Sequence, residues 1–436
     1  MNGKLHSEIL DLTGNIQDGY LRAVTYARLG YNLYHLKSPM YKRAFDKALT
    51  AVNTIKNPYL MAKALLEIGT YIHSISEKAS KKVFRQAYEA IKGFPQPIKD
   101  DLLEELVLRV LELNVNGSVV EYALSIENEI KRNEILLRLV KHLINSGSIQ
   151  KARSIVGEIS EEPWKSLAII ELLKAHLQRE EFGSVMLLLQ MLDSEYWISE
   201  AMREIARRLK DADVPRETYE KFVNVAMGLS EENRFNALKA LLVSIGELGE
   251  IDFVLNVLSK LEDPERLEML RSLVGTIVDR EDLLLELIKK VDKRDFDQVA
   301  RYIMDNLLEG PIDEVYKPAV LEIGKRTPNE SILVKVTTYL AKLGDFSTAM
   351  RFASHVSDNY LRSLAFGSIA VAMLKKNNVS GAIDAALEVK DPRWGSWLLS
   401  EILVKILELE RKGVVKEDIE KKAFDQRTLW EKSGGS

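Results

Sequence analysis

The chain has 436 residues, of which 46% are hydrophobic and 29% are charged, a composition typical of a folded soluble protein. Its formal net charge of −4 gives no general attraction to nucleic acid or to anionic membranes. The chain contains no cysteine, which excludes disulfides, thiolate nucleophiles and cysteine-based metal sites.

The predicted secondary structure is helical throughout, because apolar residues recur three and four positions apart and no segment reads as a strand. A turn or capping residue precedes each of a series of helices rich in Ala and Leu. These openings lie near Asp18, Asn57, Gln96, Lys131, Glu161, Asp193, Glu231, Asp263, Lys293, Pro328, Asp358 and Asp391. Their mean spacing of about 34 residues is the length of one helix-turn-helix unit.

A lone helical hairpin cannot bury its apolar stripe, whereas stacked copies can. The sequence therefore predicts an all-α fold, namely an α-solenoid or superhelix of about twelve stacked antiparallel helical hairpins. Left-handed glycines commonly end helices. The first helices are accordingly expected to stop at Gly30, Gly147, Gly249 and Gly344.

Three segments are predicted along the chain. Residues 1–95 form tyrosine-rich N-terminal hairpins, residues 96–412 form the repeat array, and residues 413–436 form a capping helix with a frayed tail. The break from Gly93 to Pro97 could mark a bend after the N-terminal part, and an ordinary inter-helix turn is the alternative.

Small or apolar residues recur in the second helices, each time after a polar break. The sets are Ala152 with Val156, Ala349 with Ala353 and Val356, and Ala382 with Ala386. This arrangement resembles the tetratricopeptide-repeat class of α-solenoids in a degenerate form, although the first helices carry mostly Ala, Leu and Ile where that family has Trp, Leu-Gly and Tyr. HEAT-like packing is the alternative. Either resemblance implies a superhelix that binds partners along its inner face, and neither implies catalysis.

A polar residue stands about ten positions after several openings, among mostly apolar neighbours. The set comprises Arg28, Glu67, Glu171, Arg203, Ser368 and Glu401. In a solenoid of the resembled type the first helices line the inner wall, so we expect this row to contact a peptide or a helix of a partner. The alternative is ion pairing between neighbouring repeats, which contributes up to about 1 kcal/mol per exposed pair.

The N-terminal hairpin is rich in tyrosine. Tyr20, Ala27, Tyr31 and Tyr34 share one helical face. Because tyrosine buries a large ring and keeps a polar tip, the cluster suits a docking or self-association surface. Ordinary packing of the first hairpin against the second is the alternative.

No phosphate loop, dinucleotide fingerprint, zinc-protease motif or nucleophile elbow is present, so no catalytic residue, cofactor or metal site is predicted. The basic clusters lie beside acidic residues, which makes nucleic acid an improbable partner. We predict a non-enzymatic scaffold that binds a partner protein along its concave face. The alternatives are a regulatory or sensor module that binds a small ligand or nucleic acid, and an enzyme on a helical superhelix.

No apolar run reaches the roughly 18 residues that a membrane helix needs, and the N-terminus lacks the layout of a signal peptide. We therefore expect a cytoplasmic protein. The abundance of Lys, Glu and Arg is an archaeal-like bias typical of proteins from hot environments, which predicts a thermophilic source.

Overall fold

A computed structural model describes residues 2–115, 118–210 and 214–411. Within these ranges the chain forms helices and no strand. A first helix, α1 (Asn2–Thr13), precedes pairs of helices. In chain order the pairs of the first half are α2 (Gly19–His35) and α3 (Tyr41–Val52), α4 (Pro58–His73) and α5 (Glu77–Ile91), α6 (Ile98–Glu112) and α7 (Val119–Leu124), α8 (Glu129–Asn145) and α9 (Ile149–Val156), α10 (Trp164–Leu177) and α11 (Phe182–Leu189).

The second half continues the same alternation. Its pairs are α12 (Glu195–Leu209) and α13 (Arg216–Met227), α14 (Glu231–Glu247) and α15 (Ile251–Leu258), α16 (Glu265–Ile277) and α17 (Glu281–Lys290), α18 (Lys293–Glu309) and α19 (Lys317–Arg326), α20 (Glu330–Leu343) and α21 (Phe346–Ser354), α22 (Asn359–Lys375) and α23 (Val379–Leu387). One turn of 3-10 helix, Glu314–Tyr316, precedes α19, and α24 (Pro392–Arg411) ends the described part. We call the even-numbered helices, α2 to α24, the A-helices, and the odd-numbered helices from α3 to α23 the B-helices.

The prediction of an all-α solenoid built from helical hairpins is confirmed. Each of the twelve A-helices begins within three residues of a predicted opening. Eleven of them are followed by a B-helix within the described ranges. The repeat was readable from the sequence because many A-helices begin at a capping residue or a proline and carry an apolar stripe along their length.

The chain divides into two compact units, Met1–Ala201 and Met202–Ser436, with the boundary inside α12. In each unit the substantial contacts between described helices join neighbours one or two positions apart along the chain. An A-helix therefore packs on its own B-helix and on the next A-helix, as in a stack of hairpins. The predicted boundary at residue 95 stays a prediction, and the predicted cap at residues 413–436 lies outside the described residues.

Side-chain caps fix the starts of several A-helices. Asp18 accepts a hydrogen bond from the backbone N–H of Leu21 at 2.7 Å, and Asp358 accepts one from Leu361 at 2.8 Å. Asn128 caps α8 in the same way through the N–H of Lys131 at 3.0 Å. An oxygen at this position satisfies an amide that has no partner within the helix, which is why these starts could be predicted.

Three of the four predicted helix-ending glycines behave as expected. Gly147, Gly249 and Gly344 have φ values of 77°, 91° and 105° directly after or near the ends of α8, α14 and α20. The prediction for Gly30 is wrong, because this residue is buried in the middle of α2.

Gly30 is required by packing rather than by backbone conformation. A Cβ atom at Gly30 would lie 2.7 Å from Cε2 of Phe45 on α3, and one at Gly69 would lie 2.6 Å from Cε1 of Phe84 on α5. In each of the first two hairpins a phenylalanine ring thus sits directly on the backbone of the A-helix. The glycine allows the two helices to approach closely.

Acceptors near the starts of several A-helices bind the turn that precedes the next A-helix. The Asp100 carboxylate accepts from the N–H groups of Glu127 and Asn128 at 2.9 and 2.7 Å. Glu330 accepts from Ser357 and Asp358 at 2.9 Å each. These interactions, which we call turn clamps, satisfy amides that would otherwise lack a partner and fix one hairpin against the next.

A buried ion pair joins α16 to α18. Arg266 is 1% exposed, and its Nε lies 3.0 Å from the Asp295 carboxylate. Its Nη1 donates to the carbonyl of Leu261 at 3.0 Å, so the guanidinium also closes the end of the preceding B-helix. Burial raises the pKa of Asp295, even though Arg266 acts in the opposite direction.

Candidate functional site

The main candidate site is a groove between three consecutive A-helices of the second unit, α20, α22 and α24. Its volume is about 490 Å³, within the range of ligand-binding cavities. We call it the tryptophan groove. It is lined by Val334, Thr338 and Lys342 of α20, by Leu364, Gly367, Ser368, Val371, Ala372, Lys375 and the adjacent Lys376 at the end of α22, and by Trp394 and Trp397 of α24.

Two tryptophans form one wall of the tryptophan groove. Trp394 and Trp397 are 39% and 45% exposed, and their rings meet edge to face at 5.6 Å with an interplanar angle of 90°. Moving a large aromatic ring from water into an apolar environment is favourable. This wall therefore offers a hydrophobic contact surface to an incoming group.

The position of the tryptophan pair is fixed from α22. Ser363, a buried residue of α22, accepts hydrogen bonds from the N–H groups of Lys390 and Asp391 at 3.1 and 3.2 Å. Asp391 in turn caps α24 by accepting from the N–H groups of Arg393 and Trp394 at 3.0 Å each. A turn clamp and a helix cap in series thus hold the first turn of α24, and with it Trp394, against α22.

The floor of the groove is apolar apart from two hydroxyl groups. Leu364 and Val371 contribute aliphatic side chains, and Gly367 leaves room beside the side chain of Leu398. The hydroxyls of Thr338 and Ser368 lie 3.1 Å apart, and both also bond to carbonyls of their own helices. Since their hydrogen-bonding needs are met locally, they do not require a ligand.

Three lysines line the groove near the C-terminal ends of α20 and α22. Lys376 donates to the carbonyl of Leu343 at 2.8 Å and lies over the Phe346 ring. Lys342 and Lys375 are exposed, and no ion pair to either is found among the described residues. No described carboxylate lines this groove, so it presents positive charge beside an apolar floor.

A second groove borders the first and is lined by two glutamates and two lysines. It has a volume of about 380 Å³, and we call it the glutamate groove. Its lining comprises Val371, Leu374, Lys375, Trp397, Glu401, Val404, Lys405 and Glu408. Trp397 and Lys375 line both grooves, so an occupant of one would lie beside the other.

Two of the residues predicted from the sequence lie at these grooves. Ser368 is part of the tryptophan groove and Glu401 is part of the glutamate groove. Thr338, which stands at the equivalent position of α20, also lines the tryptophan groove. The position ten residues after an opening therefore faces a groove on all three of these A-helices.

In the first unit, the predicted residue Glu67 takes part in an ion pair between A-helices. Glu67 of α4 lies 2.7 Å from Arg109 of α6, which is also 2.9 Å from Glu105. Lys63 pairs with Glu105. Burial raises the pKa of Glu105, but hydrogen bonds from Lys63 and Arg109 outweigh it, so the pKa lies below its usual range. Burial and the nearby Glu67 raise the pKa of Tyr20.

The remaining polar candidates differ in their surroundings. Glu171 lies 3.8 Å from Lys141 and 3.4 Å from Lys174, which is the ion-pairing arrangement considered as the alternative. Arg28 is exposed on α2, and Arg203 is half-buried on α12. A role of these residues in partner binding stays a prediction.

The predicted tyrosine surface is partly engaged in packing. Tyr31 lies 5.9 Å from Tyr71 of α4, and Tyr34 lies 5.3 Å from Tyr41 of α3 in an edge-to-face arrangement. Tyr34 is still 37% exposed. The rings link the first two hairpins, and a role in self-association stays a prediction.

The sequence analysis missed four exposed residues of the groove. Trp394, Trp397, Lys342 and Lys375 were not singled out as site residues. The available signal was the spacing, because residues three apart on one helix share a face. Two tryptophans so placed on an A-helix indicate an aromatic surface.

Neither a metal cluster nor a membrane span is found in the part of the chain that the structure describes. Among the described residues, no group of three or more His, Asp or Glu side chains is arranged to hold a metal ion. Within the same ranges, no helix combines the length and the apolar character that crossing a membrane requires.

Comparisons with known proteins give distant similarities. No protein-family model and no curated protein matches the chain. Among solved structures, it is similar to the crystal structure of Ton1535 from Thermococcus onnurineus NA1, with 16% identity, 87% of this chain and 99% of that chain covered, and a TM-score of 0.21.

Two further solved structures are similar at 13% identity. One is a circular tandem repeat protein with novel repeat topology and enhanced subunit contact surfaces (95% of this chain, 97% of that chain, TM-score 0.20). The other is Kap121p bound to Ste12p (96% of this chain, 52% of that chain, TM-score 0.31). These TM-scores are too low to support an argument from likeness. The helices and their contacts show that the chain is a helical-repeat solenoid.

Proposed function

We propose that this protein is a non-enzymatic scaffold that binds a segment of a partner protein on the A-helices of its second unit. The observation that carries the proposal is the tryptophan groove, where Trp394 and Trp397 remain exposed beside an apolar floor. Interface centres are enriched in aromatic anchors, and a preformed groove lowers the cost of binding because little has to be ordered.

The repeat itself supports a tetratricopeptide-like assignment as part of this proposal. The A-helices recur every 34 residues or so, the length of that repeat. Ala349, Ala353 and Val356 are buried at and just after α21, where small residues allow the A- and B-helices to pack closely. HEAT-like packing is the competing assignment.

A peptide-display selection on the immobilised full-length chain tests the proposal. We expect enriched peptides to lose most of their binding to a variant carrying Trp394→Ala and Trp397→Ala. They should retain it in Tyr360→Ala, which removes a ring of 57% exposure at the start of α22, outside the groove lining. Binders that are indifferent to the tryptophan substitutions, or a selection that yields no binder, would contradict the proposal.

A small-ligand sensor is the second candidate, and the volume of the tryptophan groove favours it. A thermal-shift screen of small amphipathic acids on the same variants separates the two. Stabilisation by such a compound that depends on both tryptophans, together with no groove-dependent peptide, would favour the sensor. A cytoplasmic location and a thermophilic source stay predictions.

A further inference from the structure

We propose that the tryptophan groove selects an extended partner segment in which an apolar side chain and a carboxylate side chain stand two positions apart. This inference rests on the proposed function and adds the chemistry of the partner. The apolar side chain would lie between the tryptophan pair and α22. The carboxylate would lie between the ammonium groups of Lys342 and Lys375.

The apolar half of the site follows from its lining. Trp394 and Trp397 line the groove together with the aliphatic side chains of Leu364 and Val371. A large apolar side chain placed there removes aromatic and aliphatic surface from water at once, as an interface anchor does. The hydroxyls of Thr338 and Ser368 are satisfied by their own helices, so an apolar group leaves neither unpaired.

The charged half of the site follows from Lys342 and Lys375, for which the described part of the chain offers no ion pair. Another lysine of α20, Lys335, stands two turns before Lys342 and pairs with Asp305 of α18. Lys342 and Lys375 have no such partner among the described residues, although the chain contains 65 acidic side chains. The helix-end carbonyl that could attract a lysine is already bound by Lys376.

The distance between the apolar half and the charged half of the groove determines how far apart the two side chains of the partner segment should be. Lys375 lies four residues beyond Val371 on α22, which is about 6 Å along the axis at 1.5 Å per residue. In an extended segment, side chains two positions apart point to the same side and are separated by about 6.6 Å. An apolar residue and an acidic residue with one residue between them therefore match the groove.

The glutamate groove is a less favourable place for the carboxylate than the tryptophan groove. Its lining pairs two glutamates, Glu401 and Glu408, with two lysines, and Lys405 already lies 3.8 Å from Glu408. The described lining of the tryptophan groove contains lysines and no carboxylate, so an acidic side chain there meets positive charge without like charge beside it.

Fluorine NMR of the full-length chain labelled with 5-fluorotryptophan tests the inference. The probes are capped peptides that contain Phe-Gly-Glu, Phe-Gly-Gln or Phe-Gly-Lys between Gly-Ser flanks, and the signals are assigned by single tryptophan substitutions. We expect the Glu peptide to shift the signals of Trp394 and Trp397 and to bind about three- to fivefold more tightly than the Gln peptide. This is the effect of one or two exposed ion pairs of up to about 1 kcal/mol.

Lysine variants separate the charge from the apolar contact. Lys342→Gln combined with Lys375→Gln should abolish the preference for Glu over Gln and leave the affinity for the Gln peptide unchanged. Lys335→Gln, on the same helix but outside the groove lining, should leave the preference intact. A preference that survives the double substitution would overturn the proposal.

The outcomes also distinguish this inference from the proposed function. Equal affinity for the Glu and Gln peptides overturns the carboxylate selection, while groove-dependent binders from the display selection would still support a scaffold. Failure of that selection overturns the scaffold itself. Binding of 3-phenylpropionate as tight as that of the Glu peptide would assign the groove to a small ligand and overturn the peptide proposal.

Discussion

The turn clamp at Asp100 offers a direct test of how one hairpin is held to the next. Asp100 is 3% exposed, and its carboxylate accepts from the N–H groups of Glu127 and Asn128 and from the Gln96 side chain. Asp100→Ala removes the acceptor from two backbone donors at once. A buried donor left without an acceptor costs about 1–3 kcal/mol.

We expect Asp100→Ala to lower the free energy of unfolding by about 2 kcal/mol, which is the lower limit of the expected cost for two donors. The lower limit applies because Glu127 and Asn128 are exposed residues whose amides water can reach. The neighbouring residue provides the control. Asp101 is in the same helical turn but only pairs with Lys131 on the surface. Asp101→Ala should therefore cost less than about 1 kcal/mol.

Hydrogen exchange of the intact protein is the appropriate assay, because stacked repeats can open locally. The amides of the turn between α7 and α8 should exchange about 30-fold faster in Asp100→Ala, the ratio that corresponds to about 2 kcal/mol. Denaturant unfolding should show the loss of stability. Equal effects of the two substitutions, or unchanged exchange at the turn, would refute the clamp.

The effect of Asp100 should also depend on pH. Burial raises the pKa of Asp100, but hydrogen bonds from the Glu127 and Asn128 amides outweigh it, so the pKa lies below 3.8. A lowered pKa in the folded state stabilises the protein above the unfolded pKa, and this stabilisation is lost as pH falls through the folded value. The difference in unfolding free energy between the wild type and Asp100→Ala should be full near pH 7 and shrink below about pH 4. A difference that grows on acidification would contradict this.

Two further substitutions test packing and buried charge. Gly69→Ala places a Cβ atom 2.6 Å from the Phe84 ring and should lower the free energy of unfolding by about 1–3 kcal/mol, measured by denaturant unfolding. The control is Gly183→Ala, where a Cβ atom would have nothing within 4 Å, so it should be neutral or stabilise by up to about 1 kcal/mol. Similar results for both variants would argue against the close approach of the helices. Arg266→Met should cost about 3–5 kcal/mol by the same measurement because it leaves the Asp295 carboxyl buried without its partner, and adding Asp295→Leu should recover most of the loss. No recovery in the double variant would show that the pair does more than compensate charge.

The starts of the repeats were predictable from the sequence because their causes are local. Asp18 and Asp358 act on amides three residues away, and an apolar stripe needs only the helical period to be recognised. The left-handed glycines after α8 and α20 follow from the same short-range logic.

The interactions between hairpins were not predictable because they join residues about 30 positions apart. The clamp from Ser363 to the N–H groups of Lys390 and Asp391 depends on how two A-helices stack. Gly30 shows the same limit: its role depends on Phe45 of the next helix, and a glycine that admits a ring looks in sequence like one that ends a helix.

The candidate site was only partly predictable for a related reason. The position ten residues after an opening did point to the grooves at Ser368 and Glu401. In the first unit the same position is occupied by Glu67, whose charge is used by Arg109 of the next A-helix. Whether a charge on an A-helix is available to a partner depends on the neighbouring helix, which no single repeat reveals.

The turn clamps also determine where such a chain tolerates shortening. A deletion that runs from the start of one A-helix to the start of the next removes an acceptor together with the two turn amides that it binds, and it joins chain ends that are chemically alike. A deletion of equal length that starts inside a B-helix would instead join parts of two different B-helices, so that an acceptor such as Glu330 would no longer be followed by its own turn. Excision of whole hairpins, measured by helical content of the shortened protein, should thus be compatible with folding where out-of-phase excision is not.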